Sequence, residues 1–262
     1  TGDSELTVSQ GYSLTLSQTG GLALGANTLT LSGGGSLISG GLALNDADSK
    51  LLLNSITVDS VSTTADSLGL DVDANSTVTS LSVGHITPVS IANGKTLSGG
   101  ITVSAGSIKL NETGTLASSV SMSGGTLDAD KNLTVSGALT HTADITIDVA
   151  TGKTLTYSGA AVNLGAKTLT LIGGGTLSQT IIHVLRSRQL ITFITPMTAG
   201  RSSTSANSLG LDVDANSTVT SLSVGHITPV SIAAGKRLSG AIGVTAGSLK
   251  LNEAGTLAST VA

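Results

Sequence analysis

The sequence predicts an all-β fold, a parallel β-solenoid with coils of about 20 residues, and three observations carry that expectation. Short segments alternate apolar residues with Ser or Thr. Related segments return about every 20 residues, a repeat length that suits stacked coils. The chain is rich in Gly and almost free of rings, with 34 Gly and 1% aromatic residues, so its core must consist of small aliphatic side chains.

The alternation is plain in ELTVSQ, YSLTLSQ, TLTLSG, SITVDS, TVTSLSV, ITVSAG, SIKLNE, NLTVSG, DITIDV and KTLTYSG. Period two marks a strand with one face buried. Gly, Asn and Asp separate the runs and suit corners at which φ is positive. No segment carries a helical period. An antiparallel sandwich would also use short strands, but it explains neither the return of GGLALG at Gly20–Gly25 as GGLALN at Gly40–Asn45 nor the missing core aromatics. In a solenoid, coils stack about 4.8 Å apart, so inward Leu, Ile and Val form ladders and outward Ser and Thr do likewise. About 13 such coils make a rod of roughly 60 Å.

A longer period overlies the shorter one. Residues 65–120, ADSLGLDVDANSTVTSLSVGHITPVSIANGKTLSGGITVSAGSIKLNETGTLASSV, return at 206–261 with a constant offset of 141 and nine differences in 56 positions. The echo extends upstream, from Tyr12 to Lys153, with one residue gained or lost on the way. The expected organisation is a first repeat over 1–140 and a second, truncated repeat over 141–262, continuous in one rod, which suggests further copies in a parent protein.

Composition excludes several function classes. The formal net charge is -4, and the 12 basic residues form no stripe, so nucleic acid is not an expected partner. Without Cys there is no disulfide or thiolate site. No run of 18 apolar residues can span a membrane as a helix. The repeated GGTL and GTL signatures at Gly114–Leu116, Gly124–Leu127, Gly174–Leu177 and Gly255–Leu257, each leading into an LTVSG-like or LASxV strand, resemble the passenger domains of bacterial autotransporters and surface adhesins of the filamentous-haemagglutinin type. That resemblance implies a right-handed parallel β-helix, export to the cell surface, and a role as adhesin or stalk. It brings no catalytic motif.

Chemical motifs are correspondingly few, and no catalytic residue, cofactor or enzymatic activity is expected. Asp71 and Asp73 in LDVDANST, with their copies Asp212 and Asp214, open like a calcium loop, as does DADKN at Asp128–Asn132. The EF-hand also needs Gly at position six and Glu at twelve, and these stretches place Ser76 and Ser82, or Leu133 and Leu139, there. The four carboxylates remain weak calcium candidates against the plainer reading of hydrogen-bonded corners. His85 and His226 in VGHITPVS read as surface groups, and no G-x-S-x-G elbow occurs. The Thr-x-Thr pairs at Thr28/Thr30, Thr77/Thr79, Thr154/Thr156, Thr168/Thr170 and Thr218/Thr220 could form a hydroxyl array, but their spacings of 49, 77, 14 and 50 are not multiples of one coil.

Residues 181–201, IIHVLRSRQLITFITPMTAGR, stand apart. They take the place of residues 41–60 with one residue more, and hold three of the four Arg (Arg186, Arg188, Arg201) and the sole Phe. Because the repeat resumes on both sides, the segment reads as one coil translated out of frame that keeps strand-like apolar character. A functional basic loop is the second reading. The functional expectation is an extracellular structural or adhesive solenoid that self-associates end to end, with a host surface glycan or protein as a further partner. The alternative is a solenoid that recognises ice or glycan through a Ser/Thr face.

Overall fold

A computed structural model describes residues 2–17, 20–178, 181–184, 190–204 and 208–262. Among the described residues, strands of neighbouring coils pair in parallel and no helix occurs. The chain divides into two units, Thr1–Gly137 and Ala138–Ala262. Each is a parallel β-solenoid, as the period-two pattern predicts.

In unit 1 the first sheet stacks Ser4–Thr7, Thr28–Ser32, Lys50–Asn54, Gly69–Val72, Ile86–Ile91, Ser107–Leu110 and Thr126–Ala129. Ser4 pairs with Leu29, Thr28 with Lys50, Lys50 with Gly69, Leu70 with Val89, Ile86 with Ser107 and Ser107 with Thr126, so the coils differ in length while their strands stay in line. A second sheet closes each coil, and its longest strands are Thr57–Thr63, Ser76–Val83 and Thr96–Val103. Leu29, Leu51, Leu70, Val89, Leu110 and Ala129 form one inward ladder of the first sheet, and Leu42, Val61, Leu81, Ile101 and Val120 form one of the second. All of them are buried. Stacking like on like keeps the interior thin and removes apolar surface from water along the whole unit.

Unit 2 repeats the plan with Ile145–Val149, Thr168–Ile172, Leu190–Phe193, Gly210–Val213, Thr228–Ile232 and Leu249–Leu251 in its first sheet. Ile145 pairs with Leu169 where Ser4 pairs with Leu29, and Leu190 pairs with Gly210 where Lys50 pairs with Gly69. One residue is therefore lost in the first coil and regained in the third, which restores the offset of 141. The gain lies at a corner. Unit 1 turns there through Asn54, Ser55 and Ile56, with Ser55 at φ 57°, the one described non-Gly residue with positive φ. Unit 2 turns through Ile194, Thr195, Pro196 and Met197, and the longer corner needs no left-handed residue.

The described residues of the exceptional segment thus continue the stack. Leu190–Phe193 pairs in register with Thr168–Leu171 on one side and Gly210–Val213 on the other. Ile182, Ile191, Phe193, Met197 and Ala199 are buried, with Phe193 in the place of Leu53 and Ala199 in that of Val58. Ser202 is buried where unit 1 has Val61, between Ile182 and Leu222 in the second-sheet ladder. Arg186 and Arg188 lie outside the described residues, and Arg201 is exposed on the Thr198–Thr204 strand.

The corner VGHIT carries a buried polar pair in both units. Thr87 donates its hydroxyl to Thr63 Oγ1 at 3.0 Å, and Gly84 N also donates to that oxygen. In unit 2, Thr228 donates to Thr204 at 2.9 Å with Gly225 N alongside. Satisfied hydroxyls of this kind tolerate a dry interior.

Candidate functional site

Among the carboxylates singled out by sequence, Asp71, Asp128 and Asp130 face the protein's own cations. Lys50 forms an ion pair with Asp71 from the next coil, and Lys109 reaches Asp128 and Asp130 at 3.4 and 3.7 Å. Asp128 and the adjacent Asp130 together hold the Lys109 ammonium above its ordinary pKa. In the DADKN stretch, a lysine therefore sits where a cation would bind. Asp73 and Asp214 are exposed. Among the described residues, no three His, Asp or Glu side chains gather into a group able to hold a metal ion.

Asp212 differs from its copy Asp71 because the lysine is gone. Leu190 occupies the Lys50 position, and burial, followed by the nearby charges of Asp214 and Glu253, pushes the Asp212 carboxyl above its usual range. A raised carboxyl pKa means that the folded state holds the proton more tightly than the unfolded chain. Ionised Asp212 therefore costs stability at neutral pH, and the cost is relieved as pH falls through its folded pKa. Leu190→Lys is expected to lower the Asp212 midpoint, read from its carboxyl carbon in an NMR pH titration; an unmoved midpoint contradicts the lost-partner account.

His85 and His226 sit at equivalent corners. His85 Nδ1 lies 3.6 Å from Asp66 Oδ1, and that same oxygen accepts from Ile86 N at 2.9 Å. The histidine thus borders a capped corner.

The second sheet carries the feature with the most regular chemistry. Thr154, Thr176, Thr198, Thr218 and Ser239 stand on successive coils at one register position, and unit 1 has Ser13, Ser36, Thr57, Thr77 and Ser98 at the equivalent places. They alternate with inward apolar neighbours and point outward, about 4.8 Å apart along the stack. Thr218 and Ser239 hydroxyls share a hydrogen bond of 2.8 Å, as do Thr77 and Ser98 at 2.9 Å. The Thr-x-Thr pattern finds only some members, because coils of unequal length bring Thr176 and Thr198 into line without any local motif.

A shallow hollow follows each ladder. In unit 1 it measures about 150 Å³ and is bordered by Gly34, Ser55, Thr57, Asn75 and Thr77. In unit 2 two hollows of about 250 and 310 Å³ share Asn216 and Thr218; one extends to Gly152 and Gly174, the other to Arg237 and Ser239. The furrow is open and polar, and its hydroxyl and amide groups can hydrogen-bond an extended ligand.

No helix among the described residues is long and apolar enough to cross a membrane. Compared with family models, curated proteins and solved structures, the chain matches none.

Proposed function

We propose that this chain is a non-enzymatic structural or adhesive segment of an extracellular surface fibre, assembled end to end by stacking coil on coil. The parallel β-solenoid fold is consistent with the resemblance to autotransporter passengers and filamentous-haemagglutinin-type adhesins, and the cell-surface location is part of the same proposal.

The observation that carries the reading is coil-on-coil coverage: the inward ladders through Leu110 and Val120 are covered by the coil that follows in parallel register, and both residues are 1% exposed. Stacking of this kind uses only backbone pairing and like-on-like apolar contact, so coils of a second copy can continue it.

Sedimentation velocity over a concentration series tests the proposal. The chain is expected to shift to larger species with concentration. A chain that stays monomeric across the series overturns it.

A further inference from the structure

We propose that the second sheet of unit 2 binds an anionic polysaccharide along its furrow. This goes beyond the fibre reading and does not depend on it.

The two units act as internal controls for each other. At three positions on this sheet the copies diverge in charge: Asp59 of unit 1 becomes Gly200, Ser60 becomes Arg201, and Thr96 becomes Arg237. One negative charge disappears and two positive charges arrive. In unit 1, Asp59 is fixed by four hydrogen bonds, from Ser39 N, Ser39 Oγ, Gly40 N and Ser60 N. Burial raises its pKa, but those bonds outweigh it and hold the carboxyl below the usual range, so the surface there is firmly acidic. Unit 2 has Gly200 in its place and no acid there.

Arg237 borders the furrow beside Asn216, Thr218 and Ser239. Arg201 is exposed on the Thr198–Thr204 strand, on the other side of the threonine ladder. Lys236 adds a third exposed cation next to Arg237. Among the described residues, none of the three forms an ion pair, although the chain as a whole is acidic. Guanidinium groups receive carboxylate or sulfate in a bidentate fork. The ladder hydroxyls and the Asn216 amide offer both donors and acceptors to sugar hydroxyls. The repeat of about 4.8 Å gives an extended chain the same contacts coil after coil.

Nucleic acid would also meet the cations, but it binds single-stranded through base stacking on rings. Of the three Tyr and Phe rings in the chain, Tyr157 and Phe193 are buried and Tyr12 lies in unit 1, so none of them gives the furrow a stacking platform.

Fluorescence anisotropy with a labelled heparin oligosaccharide tests the site on the full chain. Binding is expected, weakening as salt rises. Arg237→Thr, which installs the unit 1 residue at an exposed position, is expected to reduce affinity about tenfold. Thr96→Arg is expected to add a weaker second site in unit 1. Binding is expected to persist at protein concentrations where sedimentation shows only monomer, which separates this proposal from the assembly reading. No binding of the oligosaccharide, unchanged affinity in R237T, or equally tight binding of a neutral dextran oligosaccharide or of poly(dT) each overturns the proposal.

Discussion

Gly99→Ala is expected to destabilise unit 1 by about 3 kcal/mol, seen as a lower guanidinium midpoint in circular dichroism. Gly99 sits opposite a β-bulge, where the pairing of Ser76–Val83 with Thr96–Val103 skips Thr79, and its φ is 113°. A Cβ there would run into the Val78 carbonyl oxygen, which belongs to the backbone and cannot swing aside. Unit 2 reproduces the arrangement, with Gly240 at φ 125° against the Val219 carbonyl and a skip at Thr220. The bulge lets two sheet segments of unequal length stay in register, so its loss would disturb both flanking ladders. Gly94→Ala provides the control. Gly94 also has positive φ, 71°, but faces open space, so only the left-handed backbone penalty of about 1 kcal/mol applies. Equal losses at the two positions would show that the close approach to Val78 contributes nothing.

Phe193→Ala is expected to lower the stability of unit 2 by about 3–5 kcal/mol, the cost of emptying a large buried site. Among the described residues Phe193 is the largest fully buried side chain, and it stands in the ladder Ile147, Leu171, Phe193, Val213 and Ile232. Phe193→Leu restores the residue of unit 1 and is expected to cost less than about 1.5 kcal/mol. The same coil is underfilled elsewhere, with Ala199 for Val58 and Ser202 for Val61. Ser202→Val is therefore expected to raise stability by about 1 kcal/mol, because it replaces a buried hydroxyl with two methyl groups. Thermal unfolding of the three variants checks the set. A neutral Phe193→Ala would mean that the exceptional segment is not packed as a coil.

Most of the fold is legible in the sequence because a solenoid couples adjacent coils through one simple rule, alternation of inward apolar and outward polar residues. TLTLSG and DITIDV, for example, lie on strands whose buried residues are Leu29 and Leu31, and Ile145, Ile147 and Val149. The lateral relations are harder to read, because they depend on coil length. Lys50 meets Asp71, and Thr176 falls beside Thr198, only once the length of each individual coil is known. An average period blurs those alignments. For the same reason Lys109, which occupies the acidic DADKN stretch from one coil away, gives no local signal. The exceptional segment shows the converse. Its composition sets it apart, yet Ile182, Ile191, Phe193 and Met197 meet the rule that matters to the stack.

The corner at Thr195–Pro196 has an evolutionary consequence. A coil can gain or lose a residue at a turn while its sheets remain aligned with both neighbours, so the array tolerates changes in length that would scramble an interdigitated globular core. Crossing-over between misaligned copies of such a gene then yields chains that still fold whenever the exchange preserves whole coils. Solenoid length becomes a trait adjustable by recombination, while individual copies, such as the one bearing Arg237, are free to diverge.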